Sequence, residues 1–556
     1  MFARELVTID SEPMKKKWFR IGIAGVFLLS LTLRFWGLGR FNTFVFDEVY
    51  YAKFGNNYLT HTPFFDGHPP LGKYLIGIGI WIGNHIPFWQ DEVNGFTGSV
   101  ISPLSYRWMN AFSGSFIPLI VAAIAYQISY RRSFALLAGL FTACDGIFLV
   151  ESRYALINQY IVIFGLLGQW FLLLALANQR QQRNFWLILS GIAFGASAAT
   201  KWNGLWFLLG AYLIWILAWG IRWLQSFSFV NKETHPQLQQ EKFLSHRSLT
   251  SGRKKSTKRS FSLSSLTLFT SGLSSNRRYK IIPNKGKFRT FSKSKKSNLT
   301  PLQNLTQLNL IHIIIYLGVI PLIVYSFIWI PHLLLDKRYG FIEVHRQILL
   351  FHERLGGNSP KVHPYCAAWY KWPLMTRPMA YFYQTVQNIN EPLPVMGPPL
   401  PSGTGKVIYD VHAMGNPFLW WFGAAALLFL IGMLVWQVLI PLIRQKSFSP
   451  STMLCVDTWI ALYLVVNYAA HLLPWVQVNR CVFIYHYMTA LIFAFLAIAW
   501  LVDQCLRSYR IELRALGVTI TFMIVMAFIF WMPIYLGLPL SAFEYRPMRM
   551  WFNSWI

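Results

Sequence analysis

Acidic residues are scarce in this chain. Asp and Glu number 21 against 50 Lys and Arg in 556 residues, and charged residues of both signs make up only 13%. A soluble chain of this length needs more charged surface, so the composition points to a polytopic membrane protein. Cysteine is scarce too. None of the five, Cys144, Cys366, Cys455, Cys481 and Cys505, forms a CxxC pair, and four lie in or beside apolar segments. Buried thiols are expected, with neither a disulfide framework nor a zinc site. The net charge of +29 is unevenly spread, and residues 231–300 carry about half of it. A basic excess concentrated in one loop reads first as a cytoplasmic loop, and no nucleic acid is expected as a partner.

Long apolar runs are what the chain has in abundance. Hydrophobic residues reach 54% and aromatics 17%, including 24 Trp. A helix needs about 20 mostly apolar residues to cross a bilayer. About eleven segments qualify: 19–38, 108–130, 133–150, 156–177, 185–200, 203–224, 309–331, 417–442, 453–474, 481–501 and 513–534. The run 74–83 is short for a span and reads as a re-entrant or interfacial helix. "MKKKWFR" ahead of the first span places the N-terminus in the cytoplasm, and the first apolar run reads as a retained anchor. Alternation then puts Arg131-Arg132, "NQRQQRN" at 178–184, the basic loop 225–308, "RQK" at 444–446 and "RSYR" at 507–510 on that same side. Five loops agree on one topology.

The chain therefore reads as an N-terminal membrane region, 1–224, whose first outer loop is 39–107, and a C-terminal membrane region, 309–556, whose large outer loop is 332–416. Between them lies a Ser-, Lys- and Arg-rich loop, expected to be disordered because it cannot bury a core. "NLT" at 298–300 and 304–306 matches a glycosylation sequon, but on the cytoplasmic side.

Most of the polar motifs gather on the outer face. Asp47 and Glu48 follow the first span inside "FVFDEVYYAKF", and Asp66 recurs in "FFDGHPPLGK". Carboxylates at a hydrocarbon boundary are costly unless paired or functional. Adjacent side chains point in different directions, so Asp47 and Glu48 are expected to have separate tasks. A partly desolvated carboxylate suits a general base acting on a hydroxyl. His68-Pro69-Pro70 forms a stiff turn, and Lys73 reads as either an interfacial anchor or a lipid-phosphate contact. "FHER" carries half of an HExxH motif and lacks its second His, so no metal site is expected.

"FDEVYYAKFGNNYLTHTPFFDGHPPLGKYLIG" resembles the first outer loop of the protein O-mannosyltransferases. So do "YRWMNAFSGSFIPL" at 106–119, "ESRYALIN" at 151–158, "GASAATKWNGLW" at 195–206, "FIEVHRQILLFHERL", "HPYCAAWYKWPLMTRP", "MGNPFLWW", "RCVFIYHYM" and "PIYLGLP". The resemblance covers most of the chain apart from the basic insert. It implies an all-α polytopic GT-C glycosyltransferase fold with helices in the outer loops. The implied activity is inverting transfer of mannose from polyprenyl-phosphate mannose to Ser or Thr hydroxyls of exported polypeptides.

By the same resemblance Asp47 is the base, and Glu48 is a second catalytic acid that positions the acceptor. Arg107, Arg153, Lys201 and Lys73 are candidates for the donor phosphate and lipid, with a Glu151–Arg153 ion pair the other reading of Arg153. Asp66, His68, His363, Trp372 and Arg377 would bind the acceptor or organise the loops. No cofactor is implied, and metal independence is expected. Membrane lipid is a further partner, coupling to the secretion machinery is open, and the cell membrane is the expected location. Asn158 departs from the family's usual Asp, and Asp145 keeps an open role. A related GT-C transferase that moves a sugar from a polyprenyl-phosphate carrier to a glycolipid such as lipid A is the alternative. A transporter would instead place charges in the middle of its spans.

Overall fold

The structure is a computed structural model. It describes residues 14–87, 101–178, 180–233, 301–357, 359–387, 391, 393–396, 400, 405–440, 443 and 456–556. The chain divides into two units, residues 1–224 with 299–556 and residues 225–298, and the first holds every element of the site. Nearly all of the basic insert, the first sequon, "RQK" and Cys455 lie outside the described residues.

Among the described residues nine helices are long and apolar enough to cross a membrane. A bent pair, Arg132–Ala143 and Gly146–Arg153, which meet at 59°, brings the number to ten when counted as one broken span. The eleventh expected segment, 185–200, is the helix Arg180–Ala198. Its first turns read "RQQRN", which makes it too polar to count with the others. The span Ile484–Leu506 lies at the centre of the bundle, 89% buried along its most apolar stretch, whereas Lys16–Phe35 is peripheral at 17%.

The bend in the pair has a local cause. Asp145 caps the second helix, its Oδ1 accepting from the amides of Ile147 at 3.0 Å and Phe148 at 3.2 Å. Its Oδ2 accepts from the Asn416 amide at 3.0 Å and Trp420 Nε1 at 2.9 Å. Asp145 is thus a fully bonded cap at the break between the two helices of the bent pair.

The first outer loop folds into two helices, Glu48–Leu59 and Leu71–Gly83. They cross closely at Gly55 and Gly77, where a Cβ on Gly77 would lie 2.8 Å from the Gly55 carbonyl oxygen. Only glycine admits that approach. The second helix is the short apolar run expected at 74–83.

The large outer loop departs from a purely helical reading. It carries the helix Phe341–Arg354 and two strands, β1 (Met379–Val386) and β2 (Val407–Ala413), which pair antiparallel. A third strand, β3 (Leu540–Ser541), joins β2 from the end of the last span. The expectation of thiols alone is also corrected. Cys366 and Cys481 form a disulfide with Cα atoms 5.3 Å apart, although 115 residues separate them. Both lie in segments between spans that the fold brings together, which spacing along the chain does not show. Cys144 and Cys505 are free and buried.

Candidate active site

Two cavities meet in the first unit. One is an apolar cleft of about 650 Å³, walled by Leu205, Trp206, Leu208, Leu317, Pro321 and Leu349 among others. The other is a chamber of about 520 Å³ that contains Asp47, Asp66, His363 and Tyr485. His68, Lys201, His352 and Arg480 line both, so the junction between hydrocarbon and polar space is basic. The helix Phe341–Arg354 forms part of the partition, with Leu349 on the cleft and Phe351 on the chamber.

Asp47 precedes the helix Glu48–Leu59. Phe46 before it has a positive φ of 56°, an uncommon conformation for a non-glycine residue. Its ring stacks on Tyr381 of β1 at 4.1 Å, which holds the turn in place. The Asp47 carboxylate faces the chamber without a hydrogen-bond partner among the described residues. Burial pushes its pKa up to about 6, offset in part by Lys201.

Glu48 points away from the chamber and is fully buried. It binds Arg107 through two parallel bonds, Nε to Oε1 at 2.8 Å and Nη2 to Oε2 at 2.7 Å. The amides of Val45 and Ala155 donate to the same carboxylate at 2.8 Å each. Arg107 spends its remaining N–H groups on the carbonyls of Leu38, Phe41 and Thr43. All five donors are used, which leaves none for a phosphate. The pair instead knots the loop behind Asp47 to the segment after the bent span.

Arg153 is likewise a tie. It donates to the carbonyls of Leu33, Arg34, Trp36 and Gly37 and so caps the first span. It makes neither the ion pair with Glu151 nor a contact with either cavity. Lys73 is buried against Asp66 and donates to the His68 carbonyl at 2.7 Å. This clamps the "FFDGHPPLGK" turn and takes Lys73 away from the lipid.

Lys201 is placed differently. Its ammonium donates to Asn158 Oδ1 at 3.2 Å and lies 5.2 Å from the centre of the Tyr485 ring. Burial, with Arg480 nearby, brings its pKa down to about 8. Burial also lowers His68, and it lowers His352 to about 4. Both imidazoles are therefore neutral near pH 7, and the positive charge of the junction belongs to Lys201 and Arg480.

Arg480 was not singled out by its residue type, although "RCVFIYHYM" contains it. The disulfide holds its segment, together with bonds from the Cys481 amide to the Gly356 carbonyl at 2.9 Å and from the Ala367 amide to the Val482 carbonyl at 2.8 Å. His363 lines the chamber. Trp372 is buried, donates to the Ala367 carbonyl at 2.9 Å and packs edge-on to Trp475. Arg377 bonds the carbonyls of Pro364, Ser554 and Ile556 and ties the outer loop to the C-terminal segment. Neither Trp372 nor Arg377 lines the chamber. Among the described residues no group of three or more His, Cys, Asp or Glu could hold a metal ion.

Two family models match the chain. One, described as Dolichyl-phosphate-mannose-protein mannosyltransferase, covers residues 24–246. The other, described as the C-terminal four TMM region of protein-O-mannosyltransferase, covers residues 337–555. The chain is 22% identical to a Polyprenol-phosphate-mannose–protein mannosyltransferase of Mycolicibacterium smegmatis, over 95% of this chain and 91% of that protein. It is 23% identical to the protein of that name from Corynebacterium glutamicum, over 99% and 96%. Against Dolichyl-phosphate-mannose–protein mannosyltransferase 6 of Candida albicans the identity is 26% over 39% of this chain, and the match spans only 28% of that protein. The S. cerevisiae protein O-mannosyltransferase Pmt1-Pmt2 complex bound to the sugar donor matches with a TM-score of 0.66 at 13% identity, over 100% of this chain and 94% of that one. The fold is that of the GT-C glycosyltransferases.

Proposed function

The chain belongs to the protein O-mannosyltransferase family and is a glycosyltransferase, and on that premise we propose that it moves mannose from polyprenyl-phosphate mannose to Ser or Thr hydroxyls of exported polypeptides. One observation carries the reading: an apolar cleft and a chamber holding an unpartnered carboxylate meet at a basic junction. The polyprenyl chain lies in the cleft, the phosphate at Lys201 and Arg480, and the mannose in the chamber. The acceptor hydroxyl enters on the side of Asp47.

A single inverting displacement follows from that placement. The acceptor oxygen bonds to the anomeric carbon as the carbon–oxygen bond to the phosphate breaks. Asp47 takes the hydroxyl proton, and the electron pair leaves on the phosphate. A base with a pKa near 6 is ionised at pH 7 yet basic enough to share a proton in the transition state. Lys201 and Arg480 meet the charge of the departing phosphate through charge-assisted bonds. This step invokes no metal, and EDTA is expected to leave it unchanged.

The chamber faces the outside of the cell membrane, with the N-terminus in the cytoplasm. The Lys and Arg bias of the loops supports this orientation. The Cys366–Cys481 disulfide beside the chamber supports it independently, since such bonds persist in oxidising compartments.

The test incubates the purified protein with labelled polyprenyl-phosphate mannose and a Ser/Thr-rich peptide. Label is expected on the peptide with the wild type and not with Asp47→Asn. Label that reaches only a glycolipid acceptor would sink the reading in favour of glycolipid transfer.

A further inference from the structure

Glu151 is buried and belongs to none of the steps above, yet it stands between the two reacting ends of the site. The Tyr381 hydroxyl donates to its Oε1, and the Asn158 amide lies 3.3 Å from each carboxylate oxygen. Asn158 turns its other end to Lys201, accepting from the ammonium at 3.2 Å. Tyr381 in turn stacks on Phe46, the residue before Asp47. A continuous line thus runs from the turn carrying Asp47, through Tyr381, Glu151 and Asn158, to the Lys201 ammonium. Glu151, Asn158 and Lys201 are each at least nine-tenths buried.

The chemistry fixes the direction of every bond in that line. The ammonium can only donate, so the Asn158 side-chain carbonyl faces Lys201 and its NH2 faces the Glu151 carboxyl oxygens. An amide supplies both roles at one position. A second carboxylate there would lie against Glu151, and the two could not both stay ionised. Lysine is a flexible four-carbon stem whose ammonium has no fixed direction of its own. Among the described residues the Asn158 side-chain carbonyl is the one hydrogen-bond acceptor that holds it.

We propose that Glu151 and Asn158 are positioning residues that set the Lys201 ammonium at the junction of cleft and chamber, and that the pair works as one carboxylate and one amide. The proposal rests on the reading of the junction as the donor-phosphate site. It predicts that disturbing the pair weakens the hold on the donor and leaves the acceptor untouched.

The experiment measures donor and peptide kinetics, and binding of undecaprenyl phosphate alone, for the wild type, Asn158→Asp, Glu151→Gln and the exchanged double variant Glu151→Gln/Asn158→Asp. Asn158→Asp is expected to raise the donor KM, weaken carrier binding about tenfold and lower kcat, since Lys201 also meets the departing phosphate, with peptide KM unchanged. The exchanged variant restores one carboxylate and one amide and is expected to return donor KM and carrier binding to within about threefold of wild type. If Asn158→Asp does not fold, the exchanged variant decides alone. A donor KM and carrier affinity unmoved by Asn158→Asp, or an exchanged variant no better than the single ones, overturns the proposal. Carrier binding is read separately from transfer. A wild type that binds the carrier but mannosylates no peptide would sink the proposed reaction and leave the positioning of Lys201 standing.

Discussion

Asp47 and Glu48 are neighbours in sequence and opposites in circumstance. Glu48 sits in a sealed knot in which Arg107 spends every N–H and the carboxylate accepts four bonds. Asp47 faces a chamber with its carboxylate unspent and its pKa raised by burial. The basic residues divide in the same way. Arg107 and Arg153 are consumed by the carbonyls around them, while Lys201 and Arg480 line open space at the junction. Residue type does not separate the two regions. What separates them is whether hydrogen-bonding capacity remains for a ligand, since a satisfied buried group stabilises structure and has nothing left to offer substrate.

The largest effect tests the two carboxylates against each other. Asp47→Asn keeps the shape and removes the base, so kcat should fall by about 10²–10⁴. Thermal unfolding in detergent should change little, because no bond of the fold depends on the Asp47 carboxylate. Arg107→Leu should do the opposite. It leaves Glu48 buried and unpaired at a cost of about 3–5 kcal/mol, seen as a lowered melting temperature and poor yield. An Arg107→Leu protein that melts like the wild type would break the distinction between knot and chamber.

The contrast explains which parts of the site could be read from the chain. Asp47, Asp66, His68 and Lys201 stand in short stretches whose residues mark them locally. The knot does not, because Arg107 lies 59 residues from Glu48 and only the folded loop shows that its donors are spent. Arg480 and the disulfide were hidden for the same reason: Gly356, Cys366 and Cys481 meet only when the outer loop closes over the start of a span. The spans themselves were legible because a bilayer demands long apolar runs. The strands β1 and β2 were not, since eight and seven residues inside a loop give a weak pattern.

Smaller effects should appear at the junction. Lys201→Met and Arg480→Met each remove a charge-assisted bond worth about 1.5–3 kcal/mol, so donor KM should rise roughly 10- to 100-fold while peptide KM holds. Equal loss on both substrates would mean that these residues belong to the scaffold, as Arg107 does.

The mildest test starts from the pH profile of the wild type. As a base, Asp47 must be ionised, and its pKa of about 6 lies above the usual carboxylate range. Turnover should therefore climb as pH rises through about 6 and then level off. Lys201 must keep its proton to hold phosphate, and burial has brought its pKa down to about 8. Donor affinity should fall as pH rises beyond that value, giving a bell whose top lies between the two. Near neutrality the profile is almost flat, so both limbs must be followed. Lys201→Arg should remove the alkaline limb, because a guanidinium stays charged throughout. Should the acid limb survive in Asp47→Asn, it would belong to another group, and the unspent carboxylate of the chamber would lose its claim to the reaction.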